Sequence, residues 1–209
     1  MSQHVWLRPV SARAIEVAKG DHAFVEVLQW DLSQIDPAAL ERIEPMWASI
    51  GGAMVEVPPV RERARAMAAA LSDAGLDAET DLGATHHLGV WWHMMGVQRL
   101  FWGLGIAELD PLELGALELG GAFDDGGSLA LSPEQVGRLH AAVSIPDVAK
   151  LVRIARERYR AADDSRHELL RMGGTEDEAA EAFPKAFARF AAAVAEAASR
   201  KSWLLFWVL

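Results

Sequence analysis

The run Thr85–Trp102, THHLGVWWHMMGVQRLFW, decides how the rest of the chain is read. It carries three of the seven histidines and three of the eight tryptophans, with no proline and no acidic residue, and this predicts a buried helix over 85–102. On a wheel of about 100° per residue, His86, Val90, His93, Val97 and Phe101 share one stripe. Trp91, Met95 and Trp102 fall on a second, and Gly89, Trp92 and Gly96 on a third. A helix apolar all round belongs in an interior. Gly89 and Gly96, without Cβ atoms, would admit a close neighbour on one side, and each lowers helix propensity by roughly 1 kcal/mol against alanine, which packing must offset.

The histidines of this run invite a metal reading, and spacing opposes it. On one helix His86 and His93 would stand about 10 Å apart along the axis, too far to share an ion. No histidine has another three or four residues on, so the helical HExxH pattern is absent, and the chain has no cysteine to supply thiolates. The expectation is therefore no metal and no cofactor. Core histidines bonded to backbone or to a carboxylate are the simpler reading. The alternative is a pocket lined by His86, His93, Trp91 and Trp92, in which one histidine moves a proton.

Composition narrows the class. A chain of 209 residues, half hydrophobic and a quarter charged, is expected to form one ordered domain over 1–209. A formal net charge of −10 disfavours nucleic acid and anionic membranes as partners and permits a basic protein partner. Zero cysteines suit a reducing cytoplasm. The opening MSQHVWLRPVSARAIE does not read as a signal peptide, and the most apolar run, Trp203–Leu209, is too short to span a bilayer.

Outward from the central run, caps and breakers mark the other elements. His4–Val10 alternates and predicts a strand. Ser11 opens a helix that Gly20 stops, and Asp21 caps the next, which carries Phe24, Val25, Leu28 and Leu32. Asp36–Pro37 restarts a helix, and Met46–Val55 fits helix or buried strand equally. Pro58 and Pro59 open a helix with Val60, Ala64, Met67 and Leu71 on one stripe, ended by Gly75; its arginines read as a solvated face. Asp77–Ala84 is a polar connection, Pro111 begins a turn or short helix, and Gly120–Leu131 is a loop. Ser132 and Gln135 form a capping box, as do Thr175 and Glu178. Lys150, Arg153, Arg156 and Arg160 make a basic stripe, read first as solvated and second as an anion or protein docking surface. Ser165–Met172 predicts a short helix, with His167 beside Asp163. Pro184 should kink or split the long helix that follows. Trp203–Leu209 is an apolar strand covered on both faces. The fold class expected is α+β, mostly helical, with a small sheet pairing the N-terminal and C-terminal strands around the 85–102 helix.

No catalytic motif emerges. GLGIAE at Gly103 has two glycines of a dinucleotide fingerprint, with Glu108 where the third belongs, and it follows a helix rather than a strand. Walker A, GxSxG and a cysteine nucleophile are all absent.

The order of parts in the second half is familiar. PLELGALELGGAFDDGG (111–127), LALSPEQVGRLHAAVS (129–144), FARFAAAVAEAASR (187–200) and WLLFWVL (203–209) together resemble the YfbM-like family of uncharacterised bacterial proteins. Two segments, 43–55 and 85–96, match that family's Trp-containing helix. The resemblance implies an α+β fold and brings no established activity. The function expected is binding of a protein partner or small molecule without turnover, in a regulatory or immunity-like role. The alternatives are an enzyme using His86 or His93 as general acid or base, and, less favoured by spacing, a metal- or haem-binding protein.

Overall fold

The computed structural model describes residues 4–30, 47–50, 53–56, 60–120, 127–144, 146–161 and 175–208. Along the chain run β1 (His4–Val10), α1 (Ala12–Gly20), α2 (His22–Gln29), β2 (Trp47–Ile50), β3 (Ala53–Glu56) and α3 (Val60–Asp73). There follow α4 (Ala78–Asp81), β4 (His86–Val90), α5 (Trp91–Gly103), β5 (Leu117–Leu119), β6 (Ser128–Leu131), α6 (Pro133–Val143), α7 (Val148–Ala161), α8 (Glu176–Arg200) and β7 (Trp203–Val208). The molecule is α+β, as its sequence predicts.

Five strands form an antiparallel sheet in the order β4-β1-β7-β6-β5. The N-terminal and C-terminal strands pair directly, with Trp6 opposite Trp207 and Leu7 opposite Phe206. Because β7 is the central strand and helices cover both faces, it is apolar at every position; successive side chains enter opposite cores. Val5, Leu7, Leu129, Leu131, Leu204 and Phe206 point into one, with α5, α6, α7 and α8. Val10, Ala130, Leu205 and Trp207 point into the other, with α1, α2 and α3. Arg8 lies on that second face and is buried. Its guanidinium donates to the carbonyls of Gly83, Leu28 and Trp30, so it meets the C-terminal end of α2, where backbone dipoles favour a cation.

The principal departure from expectation is at the central run. Thr85–Trp102 is not one helix: His86–Val90 is the edge strand β4, and the helix begins at Trp91. Gly89 has φ +110°, outside any right-handed helix, and β1 offers an open edge that His4–Leu7 use to pair with β4 across a bulge. Pairing with a distant strand overrides a local apolar pattern. The helix is also not buried all round. His93, Met94, Val97, Leu100 and Phe101 are interior, whereas Trp102 is 59% and Met95 36% exposed. Gly96 does admit a close neighbour, since a Cβ there would stand 2.4 Å from the Phe183 ring of α8.

Other expectations resolve plainly. The Ser132–Gln135 and Thr175–Glu178 capping boxes are present. Asp21 caps α2, and Asp77 caps α4, a single turn inside the predicted connection. Of the Met46–Val55 stretch, read as helix or strand, the described residues are strand: Trp47–Ile50 pairs with Ala53–Glu56. Pro184 does not split α8, which is continuous from Glu176 to Arg200. Proline removes one N–H from the ladder, and the buried face of Ala179, Phe183, Phe187, Phe190 and Val194 holds the helix together across that gap. The predicted 120–131 loop gives way at Ser128 to the strand β6, because the edge of β7 is there to pair with it and β5 pairs on its other side. The Asp36–Pro37 restart, the Pro58–Pro59 opening, residues 121–126 of that loop, the Ser165–Met172 helix and the Asp163–His167 pair lie outside the described residues.

Candidate functional site

Of the four residues singled out in the sequence, His86 lies on β4, and Trp91, Trp92 and His93 lie at the start of α5. His86, on β4, faces α8, and its Nε2 lies 2.9 Å from Glu196 Oε2. The other carboxylate oxygen of Glu196 accepts from the Ala84 backbone N–H at 3.1 Å, so this pair clips the edge strand to α8. His93, on α5, is 9% exposed; its Nδ1–H donates to the Leu88 carbonyl at 3.2 Å, and its ring fills the space left open by Gly89. That bond fixes Nδ1 as the protonated nitrogen of the neutral ring. Burial lowers the His93 pKa to about 4, against the help of the Leu88 carbonyl and with the repulsion of Arg189, His87 and His4. Trp91 is partly buried against the core of α5 to α8. The Trp92 side chain lies outside the described residues.

His87, which sequence reasoning passed over, makes the closer histidine contact. Its Nε2 is 2.8 Å from His4 Nδ1, and its ring stacks on Trp6 at 4.3 Å. Burial, then His4 and Arg189, lower its pKa. Among the described residues no group of three or more histidines and carboxylates is arranged to hold a metal ion.

The basic stripe of α7 is also occupied. Arg156 meets Glu176 at 3.1 Å and Asp177 at 2.8 Å, and Arg160 meets Glu176 at 2.6 Å. Arg153 faces Glu157 at 3.7 Å. These pairs fasten α7 to the first turn of α8, where carboxylates also suit the helix dipole.

Where α5 and α7 meet, a cavity of about 490 Å³ is lined by Met95, Gln98, Arg99, Trp102 and Gly103 of α5 and by Arg158 of α7. Met95, Gln98, Arg99 and Trp102 recur at spacings of three and four and so share one face of the helix. Arg158 follows Leu151, Ile154 and Ala155 on the stripe of α7 that is otherwise buried. Burial and the nearby Arg99 both lower the Arg158 pKa, so the two guanidinia feel each other. Neither forms an ion pair among the described residues. Behind Gln98 and Trp102 lies Asp110, fully buried, its Oδ1 accepting from the Leu112 N–H at 3.0 Å. Burial raises its pKa; Gln98 and Trp102 approach closely enough to oppose this, without closing a hydrogen bond on Oδ2.

The sequence did hold a signal for this site. Gln98 and Arg99 interrupt an apolar run, and Arg158 stands at a core position of its helix; only the pairing of α5 with α7 brings them together.

No family model, curated protein or solved structure matches this chain.

Proposed function

We propose that the protein acts by binding a small molecule, without turnover, in the cavity between α5 and α7. The observation that carries this reading is the combination of an exposed indole and thioether with two guanidinia around one concavity. Its volume falls within the roughly 300–1,000 Å³ usual for small-ligand sites. Exposed Trp and Met are what a monomeric surface normally withdraws from water, and an indole beside arginines is a composition typical of recognition surfaces. The two histidines first suspected of acid–base work are engaged elsewhere, His86 with Glu196 and His93 with Leu88. The YfbM-like resemblance, which brings a fold and no activity, is compatible with a binding role.

The test is a fragment screen by ligand-observed NMR on the full chain, repeated with Trp102→Ala. The expected result is a set of binders lost in the variant and recovered chemically unchanged after prolonged incubation. Binders indifferent to Trp102, or consumed during incubation, would count against the reading.

A further inference from the structure

The charges around this cavity specify what it would take. Resting on the binding role just proposed, we infer that the ligand is an apolar monoanion: a carboxylic acid whose carboxylate is held by Arg99 and Arg158 and whose flat hydrocarbon body lies against Trp102 and Met95.

Four observations converge. First, Arg158 occupies a position of α7 where Leu151, Ile154 and Ala155 lead one to expect another apolar side chain. Withdrawing a guanidinium from water is unfavourable unless an anion faces it. Second, Arg99 stands close enough for its charge to disfavour the protonated form of Arg158. Two like charges at one cavity mouth repel each other, and a single anion between them would turn that repulsion into two attractions. Third, the planar guanidinium fork matches a carboxylate with two parallel N–H···O bonds, a geometry a lysine does not provide. Fourth, the remaining lining is apolar except for Gln98. Trp102 offers a broad face to a ring, Met95 adapts to its edge, and exposed Gly103 leaves the entrance open. The ligand's charge is limited by its surroundings. The two arginines can hold the two oxygens of a single carboxylate, whereas a polyanion would meet the repulsion of a chain whose net charge is −10, with Asp110 behind Gln98 and Trp102.

The experiment compares 2-naphthoate with 2-naphthamide by isothermal titration calorimetry on the full chain. The two probes share rings and shape and differ in charge. The acid should bind about tenfold more tightly than the amide, the difference expected of hydrogen bonds to a charged group over neutral ones. Arg99→Gln and Arg158→Gln should each bring the ratio to within about twofold. Trp102→Ala should weaken both probes equally. Arg99 is exposed, so its variant keeps the test valid should Arg158→Gln disturb the packing of α5 on α7. Acid and amide binding alike, both still dependent on Trp102, would overturn the carboxylate assignment and leave the binding role standing. Acid preference that survives both arginine substitutions overturns it too. If neither probe binds, the assignment and the binding role fall together.

Discussion

Acid should unfold this protein partly through one side chain, His93. The fold holds its ring neutral down to about pH 4, while the unfolded chain takes up a proton near the ordinary value of 6.5. Above the higher value both states are neutral, and the group has no effect on stability. As the pH falls through that value, the unfolded chain gains a proton that the fold refuses, so stability drops until the folded ring also titrates. At about 1.4 kcal/mol per pH unit the full loss is roughly 3 kcal/mol, of which about 2 kcal/mol is already gone at pH ~5. His87, its pKa also lowered, acts in the same direction, so the contribution of His93 must be isolated by substitution. His93→Asn can keep a donor to the Leu88 carbonyl but cannot titrate. It should be less stable at neutral pH, by about 1–2 kcal/mol for the ring lost against Gly89. Urea unfolding of both proteins from pH ~7.5 to ~5 should show the wild type losing about 2 kcal/mol more than the variant. Parallel stability curves over that range would refute the argument that His93 is buried and neutral in the native state.

Further expectations follow from single contacts. Gly96→Ala improves helix propensity by about 1 kcal/mol but drives a methyl group into the buried Phe183 ring. The net result should be a loss of roughly 1–3 kcal/mol in a denaturant titration, and a gain would mean that α5 and α8 are not in close contact. Glu196→Ala should release the edge strand: amide hydrogen exchange across Ala84–Val90 should accelerate while that of β7 stays slow. Uniform protection would show that the Glu196 clip has no role. Ser132→Ala removes the cap of α6 and should lower stability by about 1 kcal/mol, measurable as a shift in urea midpoint. Asp110→Asn should stabilise the protein at neutral pH, because burial raises the carboxyl's folded pKa and its ionised form opposes folding there. That advantage should shrink as the pH falls and the wild-type carboxyl takes up its proton; a pH-independent difference would point to packing rather than charge.

What the chain declares locally, it declares well. Ser132 with Gln135, Thr175 with Glu178, and the caps Ser11 and Asp21 each satisfy orphan N–H groups within a few residues, so a helix start can be read without its neighbours. WLLFWVL announces a strand covered on both faces, because only a central strand has no side turned to water. The decisive ambiguities were all tertiary. HHLGV becomes a strand because β1 presents an edge to it, and nothing within five residues records that edge. α8 runs through Pro184 because the rest of the helix is packed against a core. The cavity at Arg99, Trp102 and Arg158 exists only because α5 and α7 cross, bringing together residues more than fifty apart in sequence. Backbone hydrogen-bond needs and side-chain periodicity are properties of a segment; register, close approach and the juxtaposition of charges belong to the whole packed chain, and the site between α5 and α7 is built from the latter.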